Sequence, residues 1–128
     1  MIEARCHCGQ FHVRVARPES LTRCNCSICT KLGWVLAYYE SDQVEYIAGR
    51  ARMAPYVHGD RTLTAFHCPT CGCQTHWIGL GEHARRTGVN ARLFDAKDIE
   101  EVTVHFLDGA DSWKILGETT FGNWTSCK

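Results

Sequence analysis

The chain has 128 residues, with 14 basic against 14 acidic side chains and an apolar fraction of 45%. That length suits one domain, 1–128, with a real core, and the charge balance lacks the basic excess of a nucleic-acid binder. No apolar run reaches the roughly 18 residues of a membrane helix, and the opening Met1-Ile2-Glu3-Ala4-Arg5-Cys6 lacks the apolar stretch of a secretory signal, so a cytoplasmic setting is expected.

Along the chain, strand signals dominate. Phe11–Val15 follows a first pair of cysteines and alternates with period two, as a half-buried strand does. Trp34–Tyr39 is a compact apolar run after the second cysteine group. Gln43–Ala48, Leu63–His67, Gln74–Ile78 and Val89–Leu93 are short segments rich in aromatic and β-branched residues, and are predicted as strands. Acidic Asp95–Glu101 is predicted as one helical turn. Val102–Phe106 alternates cleanly and runs into Asp108-Gly109, a turn signal. No long segment carries a helical stripe. The elements predict a mostly antiparallel β domain with its cysteine groups at strand ends.

Those groups hold eight of the nine cysteines: Cys6-x-Cys8, Cys24-x-Cys26-x-x-Cys29 and Cys68-x-x-Cys71-x-Cys73, with Cys127 apart. An odd number cannot pair fully as disulfides, and cysteines two or three apart present their sulfurs to a common centre. Four such sulfurs make a tetrahedral zinc site. Buried free thiols rarely fall into three tight knuckles. One pair from each of two knuckles closes a structural site, which Cys6, Cys8, Cys68 and Cys71 satisfy. Closing that long loop couples metal binding to folding. Cys24, Cys26 and Cys29 then remain as a three-ligand set, the pattern of a zinc that keeps a position for a substrate. The alternative is that Cys73 or a histidine completes this second site and makes it structural as well.

The cysteine pattern also carries a resemblance. Cys6-His7-Cys8-Gly9, Arg23-Cys24-Asn25-Cys26-Ser27-Ile28-Cys29 and Phe66-His67-Cys68-Pro69-Thr70-Cys71-Gly72 stand in the chain in that order. Gly88-Val89-Asn90-Ala91-Arg92 follows, then Phe106-Leu107-Asp108-Gly109 ahead of Trp113. Over roughly residues 4–113 the chain resembles the glutathione-dependent formaldehyde-activating family, which also includes the zinc domain of centromere protein V. The resemblance implies a β-tent of stacked antiparallel sheets. It implies a structural zinc on Cys6, Cys8, Cys68 and Cys71, and a second zinc on Cys24, Cys26 and Cys29. It further implies a carbon–sulfur lyase that joins formaldehyde to glutathione as S-hydroxymethylglutathione. Two features depart from the family pattern: His67 stands between Phe66 and Cys68, and Cys73 is an additional thiol.

In such a reaction zinc acts as a Lewis acid that deprotonates a coordinating thiol, here glutathione or another small thiol. The aldehyde is formaldehyde or a relative of it. Glutathione's carboxylates call for cations, and Lys31, Arg85, Arg86 and Arg92 are the candidates. Asn90, a polar residue between Val89 and Ala91, is either a substrate contact or a satisfied core amide. His67 and His76 flank the third cysteine group and are within reach as ligands or acid–base groups. A non-catalytic zinc module for a macromolecular partner, and a lyase for another thiol adduct, are the rival readings. Basic residues are scattered, and seven thiolates with two zinc ions leave the loaded chain net negative, which disfavours nucleic acid.

Overall fold

The computed structural model describes Met1–Thr125; Cys127 lies outside the described residues. Eleven strands are formed: β1 (Ile2–Arg5), β2 (His12–Val15), β3 (Ser20–Cys24), β4 (Leu36–Glu40), β5 (Glu45–Ala48), β6 (Ala54–Val57), β7 (Leu63–His67), β8 (Gln74–Gly79), β9 (Arg86–Asn90), β10 (Thr103–Leu107) and β11 (Ile115–Thr120). Three short helices accompany them: α1 (Ser27–Leu32), α2 (Ala96–Ile99) and α3 (Phe121–Thr125). The protein is mainly β, in two sheets. One runs β1-β2-β5 and the other β11-β10-β3-β4-β9-β8-β7-β6.

Alternation explains the packing. Val13 and Val15 of β2 are fully buried, while His12 and Arg14 between them are half-exposed. With Phe11, Leu21, Val35, Ala37, Val89 and Val104 they fill the main core. A second, smaller core lies under α1, where Ile28 and Leu32 cover Trp34, Leu36, Ala65 and Trp77. Burial of side chains of this size contributes roughly 1.5–3 kcal/mol each, and the second core is what fixes α1 against the large sheet.

The predicted elements shift in places, each for a local reason. The strand expected over Val89–Leu93 runs Arg86–Asn90 and stops there. The Asn90 side chain accepts from Arg92 N at 3.1 Å and Ala91 N turns to Val35 O, so 91–93 leaves the ladder as a single 3₁₀ turn. The strand expected from Gln43 begins at Glu45, because Glu40 and Gln43 cap a 3₁₀ turn reciprocally over Ser41–Gln43. The acidic turn after Asp95 is helical over Ala96–Ile99, with Asp95 accepting from Lys97 N at 3.1 Å as its cap. Among the described residues all the sheet pairs are antiparallel but one: β3 runs parallel to β10, with Cys24 opposite Leu107.

Candidate functional site

The first cysteine group is built from two tight turns. Cys6 ends the link from β1 and Cys8 sits in the turn before β2, where Gly9 N donates to Cys6 O at 3.0 Å. Cys68 and Cys71 lie in the β7–β8 turn. Gly72 closes that turn at φ 80°, a conformation that glycine adopts without strain, and its N–H donates to Cys68 O at 2.8 Å. Cys6 Sγ and Cys8 Sγ are 3.6 Å apart, as are Cys8 Sγ and Cys68 Sγ. All four sulfurs lie within 4.8 Å of one another and could hold a metal ion. Zinc–sulfur bonds of about 2.3 Å in a tetrahedron place sulfurs about 3.8 Å apart, so the spacing fits zinc, and the all-sulfur donor set fits a soft or borderline ion.

Backbone N–H groups favour the thiolates. Phe11 N donates to Cys6 Sγ at 3.3 Å. Partial burial pushes the Cys71 thiol up, but the N–H groups of Cys73 and Cys8 and the Cys68 sulfur outweigh it and hold its pKa down at about 5. Cys73 is not one of the four, and burial and the neighbouring Cys71 and Cys6 sulfurs push its thiol up.

The second group is Cys24, Cys26 and Cys29, whose sulfurs also lie within 4.8 Å of one another. Cys24 ends β3, and Cys26 is the N-cap of α1. Cys29 stands three residues on, so Cys26 and Cys29 share one helical face. Cys26 N donates to Cys24 Sγ at 3.4 Å. Burial raises the Cys24 and Cys29 thiols. At Cys29 the indole N–H of Trp34, buried without a conventional partner, works against that rise. Burial also acts on Cys26, but the Cys29 N–H and the Cys29 and Cys24 thiols outweigh it and lower its pKa. Among the described residues this group has three members against four in the first, and Cys26 and Cys29 are partly exposed.

The parallel pairing of β3 with β10 places the turn after β10 on this second group. Asn25 N donates to Leu107 O at 3.2 Å. Its side chain donates to Asp108 Oδ1 and accepts from Ala110 N, both at 3.0 Å. Ser112 donates to Asp108 Oδ2 through both Oγ, at 2.8 Å, and N, at 3.2 Å. These donors, Asn25 first, hold the Asp108 carboxyl below its ordinary range. Gly109 lies so close to Cys24 that a methyl group on its Cα would overlap the Cys24 sulfur. In the sequence Asn25 stands only as a motif residue, and Asp108 and Gly109 as motif residues and a turn. The Asp-Gly turn signal was visible, but its partner lies 83 residues away.

Comparison with known proteins addresses the pattern as a whole. The family model for glutathione-dependent formaldehyde-activating enzymes matches residues 1–108. The chain belongs to this family. That match spans both cysteine groups and ends on the Asp108 latch. A crystal structure of a Rhodobacter sphaeroides protein shares the family member's fold, with a TM-score of 0.66 and 27% identity over 79% of this chain and 97% of that one. No curated protein matches this chain.

The remaining candidates fall in different surroundings. Lys31, in the last turn of α1, lines a hollow of about 350 Å³ with Ser27, Ile28, Leu32, Tyr56 and His58. Asn90 is buried, its amide donating to Gln74 O at 2.8 Å and its carbonyl capping the 3₁₀ turn, so both ends of the side chain are engaged within the fold. Arg92 is exposed and donates from Nε to Gly33 O at 3.1 Å, just past α1. Arg86 lines a separate hollow with Leu63, Trp77 and His83. Neither His67 nor His76 joins a cysteine group. His67 lines a hollow with Tyr56 and Gln74, and His76 lies in the main core between Phe11 and Phe66.

Proposed function

We propose that this chain is a single-domain, zinc-dependent carbon–sulfur lyase of the formaldehyde-activating type. It joins glutathione, or a small thiol like it, to formaldehyde or a related aldehyde. The carbon–sulfur bond forms between the thiol sulfur and the aldehyde carbon, and the thiol proton ends on the carbinol oxygen. The contrast between the two cysteine groups carries this reading: four sulfurs in one, and three in the other, where Cys26 and Cys29 are partly exposed. Family membership supports the reaction class.

The roles divide accordingly. Cys6, Cys8, Cys68 and Cys71 hold a structural zinc. Cys24, Cys26 and Cys29 hold a second zinc, which when bound supplies the Lewis acidity that makes a coordinating thiol acidic. Asn25 and Asp108 fix the backbone around the second group. Lys31 is the contact for a substrate carboxylate, since it is exposed on the hollow beside Ser27 and Ile28. Asn90 serves the substrate side indirectly, by setting the turn that carries Arg92 to the end of α1.

Cysteines spaced as zinc ligands rather than as disulfide partners suit a reducing compartment, which supports a cytoplasmic setting. No helix among the described residues is long and apolar enough to cross a membrane, and the scattered basic residues do not favour nucleic acid. The test is the rate of formaldehyde and glutathione consumption above the uncatalysed background. Zinc-loaded protein is expected to accelerate it and Cys26→Ser to lose at least about 90% of the gain, since removing one ligand of a reactive site costs most of its activity. A rate equal to background for the zinc-loaded protein contradicts the proposal.

A further inference from the structure

Trp113 combines three unusual properties. It is 70% exposed, although it is the largest apolar side chain type. Its backbone stands at φ 60°, in the left-handed region that non-glycine residues avoid. It also lies against the second cysteine group. The point where a Gly109 methyl would stand overlaps Cys24 Sγ and is 3.7 Å from Trp113 Cζ3, so the indole edge and the sulfur border the same small space.

This position is held by the loop itself. Trp113 N donates to Asp108 O at 2.8 Å, and Asp108 N donates to Lys114 O at 2.9 Å. Ser112 and Asn25 tie both oxygens of the Asp108 carboxylate. The loop is therefore anchored on the residue between Cys24 and Cys26, and the indole is carried by that anchor. A strained residue with an exposed ring contributes little to the fold. Strain of about 1–3 kcal/mol kept at such a point is characteristic of a functional position. The family match itself ends at Asp108, and Trp113 lies just beyond it, at the end of the run of residues that carries the resemblance.

We infer that Trp113 is a substrate-contacting residue of the second cysteine site, the wall against which the carbon skeleton of a bound thiol packs. The inference rests on reading Cys24, Cys26 and Cys29 as a thiol-binding zinc site. A fourth sulfur in a tetrahedral site lies about 3.8 Å from Cys24 Sγ, and the carbons attached to it then come within reach of the indole. The wall favours thiols with an extended organic body, such as a cysteinyl peptide, over a bare two-carbon thiol.

The experiment uses Trp113→Gly, because glycine adopts φ 60° without strain. Calorimetric titration of zinc-loaded protein with glutathione and with 2-mercaptoethanol is run beside thermal melts and zinc analysis. The variant is expected to keep its zinc and to melt at or above the wild-type temperature. Its glutathione affinity is expected to fall by about tenfold, the effect of losing one aromatic contact with its buried area, while 2-mercaptoethanol changes by less than about twofold. Trp113→Phe is expected to retain most of the affinity. Equal glutathione affinity in wild type and Trp113→Gly overturns the wall and leaves the thiol site standing. Failure of both thiols to bind the wild-type protein removes the thiol site, and the wall with it.

Discussion

The His76 ring lies between those of Phe11 and Phe66, with centroids 4.8 and 4.7 Å away and planes within 16° and 11° of parallel. Nδ1 is paired with Thr75 Oγ1 at 2.8 Å, and Nε2 is buried with no partner. Burial, and secondarily Arg50, lowers its pKa from the ordinary 6.5 to about 3. The imidazole is thus neutral in the native state and becomes protonated below pH 6.5 once unfolded. The unfolded state then binds the extra proton, so stability falls with falling pH by about 1.4 kcal/mol per unit, from 6.5 towards 3. His76→Phe is expected to lose this component. Denaturant titrations at pH 7 and 5 measure it, and an equal loss in both proteins would show that His76 is not the group responsible. Sequence alone places His76 on a strand beside a cysteine knuckle. It does not show which face is covered, because that depends on Phe11, which stands just before β2 of the small sheet. Asn90 shows the same limit: a polar residue among apolar ones is legible, its engagement by Gln74 O and Arg92 N is not.

At the scale of elements, the loop after β10 and the turn before α1 form one unit through Asn25. Asn25→Ala removes a donor to Asp108 and an acceptor from Ala110 N. Groups that orient metal ligands typically cost 10–100-fold in metal affinity when lost, so zinc affinity at the second site is expected to fall by roughly that factor. The first site is expected to be unchanged. Competition with a chromophoric chelator resolves the two sites, and unaltered affinity at both would show that the latch does not support the metal. Strands with clean alternation or dense β-branched content were readable: Leu63–His67 forms as β7 over the same residues, and Val102–Phe106 corresponds to β10 shifted by one. The strands β1, β3, β6 and β11 were not. In β3, β6 and β11 exposed or charged residues stand at positions where a period of two wants apolar ones, and β1 alternates but is only four residues long. The helix α1 carries no legible stripe in the sequence because its six residues begin inside a cysteine knuckle and bury only one flank.

Over the whole molecule, the two cysteine groups lie in different surroundings because of where the sheets place them. Cys6 and Cys8 belong to the β1–β2 link of the small sheet, and Cys68 and Cys71 to the β7–β8 turn of the large one. The four-sulfur group therefore joins the sheets, and metal bound there adds directly to folding free energy. The three-sulfur group sits instead where β3 meets β10, on the side covered by α1 and the Asp108 turn. The division of the cysteines between the two groups was legible from spacing. What spacing could not supply was the one parallel strand pair, which brings residues 83 apart into a hydrogen bond. The central claim is that the second group holds a zinc with a position for a substrate sulfur. Zinc analysis with X-ray absorption at the zinc edge tests it. The account predicts about two zinc ions per chain, with seven protein sulfurs between them, and an increase in the average sulfur number when glutathione is added. A second zinc already bound by four protein ligands, with a spectrum that glutathione leaves unchanged, would contradict it.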